Sequence, residues 1–176
     1  MDKPDSNFHF KGMSLMFKFR DFFVPRTNIL KEVGIKPGFY VLDYGCGPGS
    51  YVTAAAKLVG KSGKIYALDI HPLAVQKVLK IISKKKLTNV ETVHSDYRTG
   101  LPDKSMDVIF LYDTYHELGD PDSVLEELHR VLKPDGILSF SDHHMKEEEI
   151  ESKLTSKGLF KLSKKNKRTY SFLKEE

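Results

Sequence analysis

The sequence predicts an α/β fold: a doubly wound, Rossmann-like, mostly parallel sheet of seven strands, closed by an antiparallel C-terminal hairpin. Three observations predict it. Short apolar runs alternate five times with stretches of helical period. The first run, residues 39–44 (FYVLDY), is almost continuously apolar, as a strand buried on both faces must be. That run passes directly into a glycine-rich turn, Gly45-Cys46-Gly47-Pro48-Gly49.

Each element follows in order. Leu15, Met16, Phe19, Phe22 and Phe23 share one helical face, and Pro25 restarts a short helix through Val33, closed by Gly34. Residues 39–44 are the first strand, 50–59 a helix ended by Gly60 and Gly63, and 64–69 (KIYALD) the second strand. Pro72 opens a helix to about Lys85; 90–94 and 106–112 (MDVIFLY) are the third and fourth strands. Asp120-Pro121 reads as an N-cap with proline in the first turn, and Val124, Leu125, Leu128, Val131 and Leu132 form the buried stripe. Lys133-Pro134-Asp135-Gly136 reads as a turn into a fifth strand, 137–144. Glu147 to Glu149 suit a helix start, Lys157 its end and Gly158 its cap. Residues 159–163 and 169–173 pair as the hairpin. The expected organisation is one domain over 1–176, with 1–35 a helical cap and 36–176 a cofactor-binding sheet domain. The cap holds six of the eleven phenylalanines, read either as core packing or as a lid.

Composition narrows the function. With 176 residues, 40% hydrophobic and 30% charged, the chain is an ordinary globular domain, neither a disulfide scaffold nor disordered. No apolar run reaches the roughly 18–20 residues of a membrane span. The N-terminus lacks the basic-then-apolar order of a signal peptide, and Cys46 is the one cysteine, so the cytoplasm is the expected compartment. The net charge of +4 is modest. Lysines at 77–86 and 153–174 read as a solvated helix face and a blunted edge, which disfavours nucleic acid as a partner. The phenylalanine-rich N-terminal segment leaves peripheral membrane contact open, though it lacks a strongly basic opposite face. Nothing in the sequence specifies an oligomeric state.

The glycine turn carries the chemistry. A dinucleotide fingerprint needs glycine at its first, third and sixth positions; here Ser50 holds the sixth and Gly49 sits one place early. Asp43, just ahead of the loop, would repel a pyrophosphate and attract a cation such as an α-ammonium or sulfonium. Asp69 ends the second strand, where a carboxylate can accept both hydroxyl protons of a ribose. Ribose at one acid and a cation at the other is the charge layout of S-adenosylmethionine.

These stretches resemble class I S-adenosylmethionine-dependent methyltransferases. VLDYGCGPGSY (41–51) resembles the first motif, ALDIHP (67–72) the acidic ribose motif, and HSDYRTGLPDKSMDVIF (94–110) the adenine motif leading into the fourth strand. LEELHRVLKPDGILSFSD (125–142) is similar to the type 11 branch that includes the ubiquinone- and menaquinone-biosynthesis enzymes. The resemblance covers about residues 35–175. It implies that Asp43, Gly45, Cys46 and Gly47 lie along the methionine portion and that Asp69 takes the ribose hydroxyls. It further implies that Ile70 flanks the adenine, Asp96 accepts its amino group, the Tyr97 N–H reads a ring nitrogen and Tyr112 lies near the sulfonium. Cys46 reads as a small filler of the loop. The implied activity is methyl transfer to a small-molecule acceptor. The alternatives are a methyltransferase acting on nucleic acid or protein, and a cofactor-binding module without transfer activity.

Candidate bases are histidines at the strand ends, where ligands bind in this fold. His116 follows the fourth strand and His143 and His144 end the fifth. For each, packing or capping is the competing role. Asp113, His116, Asp142 and His143 share that edge, but no motif sets them as metal ligands, and no metal is expected. Tyr112-Asp113-Thr114-Tyr115 lacks the Pro-Pro-aromatic pattern of amino-directed base methyltransferases, and one cysteine departs from the arsenite methyltransferases.

Overall fold

In the computed structural model, the structure describes residues 26–175 and, ahead of them, Ser6, Asn7, Phe10, Gly12 and Ser14. The chain runs α1 (Arg26–Val33), β1 (Tyr40–Tyr44), α2 (Val52–Val59), β2 (Lys64–Asp69), α3 (Pro72–Lys85), β3 (Val90–His94) and β4 (Met106–Tyr112). A 3-10 turn (Tyr115–Glu117) leads to α4 (Pro121–Val131), β5 (Leu132–Ser141), α5 (Glu147–Thr155), β6 (Phe160–Lys165) and β7 (Tyr170–Lys174). Asn7, Phe10, Gly12 and Ser14 are also helical; the helix read from the sequence over 14–23 lies outside the described residues.

The seven strands form one sheet in the order β3-β2-β1-β4-β5-β7-β6. β1 to β5 are parallel, and β7 is antiparallel to both β5 and β6. The order reverses between β1 and β4. There the chain leaves β1 toward one edge and returns to build the other, opening a crevice at the strands' carboxyl ends.

The strand pleat sorts side chains between two core layers. On β4, Val108, Phe110 and Tyr112 face α1 and α2, packing with Leu30, Ala55 and Val59. Ile109 and Leu111 face the other side, where Leu125, Leu128, Ile150 and Phe172 close the layer. Both faces of β4 are thus buried from Val108 onward, which accounts for its apolar run over 108–112.

Boundaries differ from the sequence reading at β5. The strand begins at Leu132, and residues 133–136 form a bulge, because the register jumps from Met106–Leu132 to Val108–Ile137. It ends at Ser141 rather than at His144. The Asp142 and Asp113 carboxylates capture the N–H groups of His144 and His143, so this stretch turns away instead of extending the ladder. Asp120 caps α4 as expected, accepting from the Ser123 N–H at 3.1 Å and its hydroxyl at 2.6 Å. No helix among the described residues is long and apolar enough to cross a membrane.

Candidate active site

The crevice at the strand reversal is built by the β1 turn. Gly45, Gly47 and Gly49 all have positive φ (73°, 50° and 83°), a backbone region that L side chains rarely adopt. At two of these positions space is equally limiting. A Cβ on Gly45 would lie 2.3 Å from the Thr114 hydroxyl, so the β1 turn and the loop after β4 meet there without a gap. A Cβ on Gly49 would lie 2.9 Å from Ile81, so this glycine sets the turn against α3.

Three carboxylates run along this edge. Asp69 is 9% exposed and accepts the Gly47 N–H at 2.8 Å and the His71 N–H at 2.7 Å. These bonds tie the glycine loop to the end of β2 and orient the carboxylate; burial raises its pKa. Asp43 is buried at the end of β1, and its Oδ2 has no hydrogen-bond partner. Burial, and secondarily the charge of Asp69, push its pKa up to about 7. Asp96 follows β3; its Oδ1 accepts the Tyr97 N–H at 2.9 Å, and its Oδ2 is buried without a partner. A buried acceptor left unpaired costs roughly 1–3 kcal/mol, so each orphan marks a place where a ligand donor would be stabilising.

The remaining expected cofactor residues fall around these acids in different ways. Ile70 continues from Asp69, and its carbonyl meets His94 Nε2 at 3.0 Å. Cys46 packs on Val52, Ala67 and Val78, and burial pushes its thiol pKa well up, which suits a filler rather than a nucleophile. The Tyr97 N–H, expected to read a ring nitrogen, is held by the Asp96 carboxylate. Tyr112 ends β4 beside the crevice, but its ring turns inward between Tyr51 and Phe110, and its hydroxyl bonds Ser139 at 2.6 Å.

His71, which the sequence reading passed over, caps α3 by accepting the Leu73 N–H at Nδ1, 3.1 Å away. Phe10 stacks on it at 4.4 Å between ring centroids, and Lys77 reaches over Phe10 to Ser14. Phe10 and Ser14 therefore lie against the first turns of α3, next to Asp69 in the chain.

The histidines gather on the same edge, over β4 and β5. His143 Nδ1 lies 2.8 Å from Asp113 Oδ1, and His116 Nδ1 lies 2.9 Å from Asp142 Oδ2. His144 lies between, its ring 4.1 Å from that of His116 and 4.0 Å from that of His143. Asp142 is fully buried through its side chain, whereas that of His143 is 59% exposed. Asp113 takes a positive φ of 51°, unusual outside glycine, and such strain tends to sit at functional positions. A cavity of about 270 Å³ opens here, lined by Asp113, Asp142, His143, Ile150, Arg168 and Tyr170 among others. His116 abuts it from behind Asp142. Asp113, Asp142 and His143 bring ligand-type atoms within 4.8 Å of one another, and the Asp113–His143 bond accounts for one of the three pairs. Sequence reasoning placed both aspartates on this edge but not their pairing. The signal was a carboxylate directly after each of two neighbouring strands, with a histidine one or three residues on.

An aspartate before a glycine turn, a second ending the next strand and a third after β3 line the crevice at the reversal of a doubly wound sheet, the place where ligands bind in this class of fold. The model of the methyltransferase domain family matches residues 35–176, and the chain belongs to that family. It is 29% identical over 130 residues to a demethylmenaquinone methyltransferase of Geobacillus stearothermophilus, covering 73% of this chain and 56% of that one. It is 34% identical over 126 residues to a ubiquinone/menaquinone biosynthesis C-methyltransferase of Hydrogenovibrio crunogenus, covering 66% of this chain and 48% of that one. The chain thus spans about half the length of these relatives. A solved S-adenosylmethionine-dependent methyltransferase from Aquifex aeolicus superposes with a TM-score of 0.78 at 29% identity, covering 91% of this chain and 98% of its own.

Proposed function

We propose that this chain transfers a methyl group from S-adenosylmethionine to a small-molecule acceptor. The observation that carries the reading is the line of acceptors along the crevice: Asp43 and Asp96, each with an orphaned buried oxygen, on either side of Asp69. S-adenosylmethionine matches that line with three sets of donors. Its α-ammonium suits Asp43, its ribose hydroxyls suit Asp69 and its adenine amino group suits Asp96. It supplies a methyl group already activated by positive sulfur. The chain's own task is then to bind, align and exclude water. The Asp69–Gly47 bond holds the loop in place, and Gly45 lets that loop close against Thr114.

The acceptor side falls on the β4 and β5 ends, beside the sulfonium position. There His116 and His143 are the candidate proton acceptors, and His143 lines the cavity. A cavity of about 270 Å³ lies at the small end of ligand pockets, which run to roughly 300–1,000 Å³, and this supports a small molecule. The names of the relatives add a quinone-type ring as the acceptor class to try first. Calorimetry tests the reading: S-adenosylmethionine and S-adenosylhomocysteine should both bind, and both more tightly than NAD. Binding of NAD without binding of either would overturn it.

A further inference from the structure

The two carboxylates of the strand-end cluster have no role in the reading above, yet their geometry is the most constrained feature of the cavity. Asp113 Oδ1 accepts the main-chain N–H of His143 at 3.2 Å and faces its Nδ1 at 2.8 Å. Asp142 Oδ2 accepts the main-chain N–H of His116 at 3.1 Å and faces its Nδ1 at 2.9 Å, while Oδ1 takes the His144 N–H at 3.0 Å. Each carboxylate therefore grips one histidine twice, by backbone and by ring, and turning the ring away breaks the pair. An ionised carboxylate can only accept. The shared proton thus sits on Nδ1, and the lone pair sits on Nε2. The aspartate of a catalytic triad imposes the same tautomer on its histidine.

We infer that Asp113 and Asp142 are positioning residues that hold His143 and His116 as Nδ1–H tautomers with basic Nε2 atoms, so that the acceptor is a nucleophile carrying an ionisable proton, a hydroxyl or an acidic C–H. This rests on the methyl-transfer reading. His143 lines the cavity and is the group that meets the acceptor; His116 stands behind Asp142. In the step, the acceptor's bond to hydrogen breaks and its electron pair forms the bond to the methyl carbon. The carbon–sulfur pair returns to sulfur, and the proton passes to Nε2 of His143 and on to solvent. Among the described residues, the charged and titratable groups around the pair include Asp113, Asp142, Glu117, His144, Glu147, Arg168 and Tyr170; Glu117 Oε1 lies 3.6 Å from His116 Nε2. An aprotic acceptor, such as a thioether or a tertiary amine, would need none of this apparatus.

The experiment is nitrogen-15 NMR of the imidazoles in the full chain with S-adenosylhomocysteine present, assigned through His116→Gln and His143→Gln. Both rings should be Nδ1–H tautomers on the alkaline side of their titrations. Asp113→Asn should shift His143 toward Nε2–H and leave His116 alone; Asp142→Asn should do the reverse. Nε2–H rings in the parent protein, or tautomers indifferent to both changes, would overturn the inference. Asp113 is partly exposed, so its variant decides the matter if the buried Asp142→Asn does not fold. A second arm uses 4-nitrophenol, whose visible band appears only on ionisation. Below its own titration range the band should appear with the parent complex and be lost with Asp113→Asn. No band with the parent overturns the acceptor class. Stoichiometric Mn²⁺ that broadens both histidines would make them metal ligands and also overturn the inference. Calorimetry with S-adenosylhomocysteine separates the two readings. No binding with the tautomers intact sinks methyl transfer and with it the acceptor class, leaving the positioning roles, and binding with the wrong tautomers sinks only the positioning roles.

Discussion

Asp43→Asn should gain stability relative to the parent, in the ligand-free protein, as pH rises. Asp43 is fully buried, has an orphaned Oδ2 and lies beside a second carboxylate, Asp69; burial and then that neighbour raise its pKa from 3.8 to about 7. The folded state thus holds the proton more tightly than the unfolded chain does. Stability from this group is fully present below about pH 4 and is lost as pH rises to about 7. The interval is roughly three pKa units at about 1.4 kcal/mol each, so ionised Asp43 costs the fold about 4 kcal/mol above pH 8. At about pH 5 the cost is only about 1.5–2 kcal/mol. Asparagine has the same shape and no charge. Its pH-independent effect can take either sign, but the difference between the two conditions should be about 2–3 kcal/mol in the variant's favour at the higher pH. Urea denaturation of both proteins at about pH 5 and about pH 8.5 measures it. A variant whose stability difference from the parent is the same at both pH values would refute the reasoning. Saturating S-adenosylhomocysteine should shrink the variant's gain between the two pH values, since the ligand's ammonium compensates the carboxylate only in the parent.

Four further outcomes follow from the same geometry. Affinity for S-adenosylhomocysteine should fall below about pH 7, approaching tenfold per pH unit, because the ammonium must displace the Asp43 proton; a flat calorimetric profile between about pH 8 and pH 6 would contradict this. Asp69→Ala should cost tenfold or more in that affinity, since it removes the ribose acceptor and unties Gly47 from β2; an unchanged constant would remove Asp69 from the site. Gly45→Ala should lower stability by about 1–3 kcal/mol in denaturant titrations, and adding Thr114→Ala should recover part of the loss, because the clash is relieved while the positive φ remains. Hydrogen exchange should show the segment around Phe10 gaining protection with S-adenosylhomocysteine, and Phe10→Ala should abolish the gain; equal protection with and without ligand would make this segment static core.

Much of this fold is local and so legible in the chain. The buried run of β4, the amphipathic stripe of α4 and the Asp120 cap are set by period and by residues a few positions apart. The glycine turn and its flanking acids could be read for the same reason: Asp43, Gly45, Gly47 and Asp69 belong to one strand–turn–helix–strand unit whose geometry is nearly constant. The bulge at 133–136 and the early end of β5 could not be read this way, because both depend on what β4 presents to β5. The inward turn of the Tyr112 ring was likewise decided by Tyr51 and Ser139, which lie far away in the chain.

The acceptor side shows the division most clearly. Sequence alone determined that carboxylates and histidines follow β4 and β5, and that these strand ends share the edge where ligands bind. Only the tertiary structure decided which carboxylate serves which histidine. Asp113 belongs to the loop after β4, yet it holds His143 after β5, and Asp142 after β5 holds His116 after β4. Pairs that cross between adjacent strands, 26 or 30 residues apart, leave no periodicity in the sequence. They exist because parallel pairing sets Tyr112 against Ser141, which brings the two turns that follow side by side, and the carboxylate of each accepts a histidine N–H of the other.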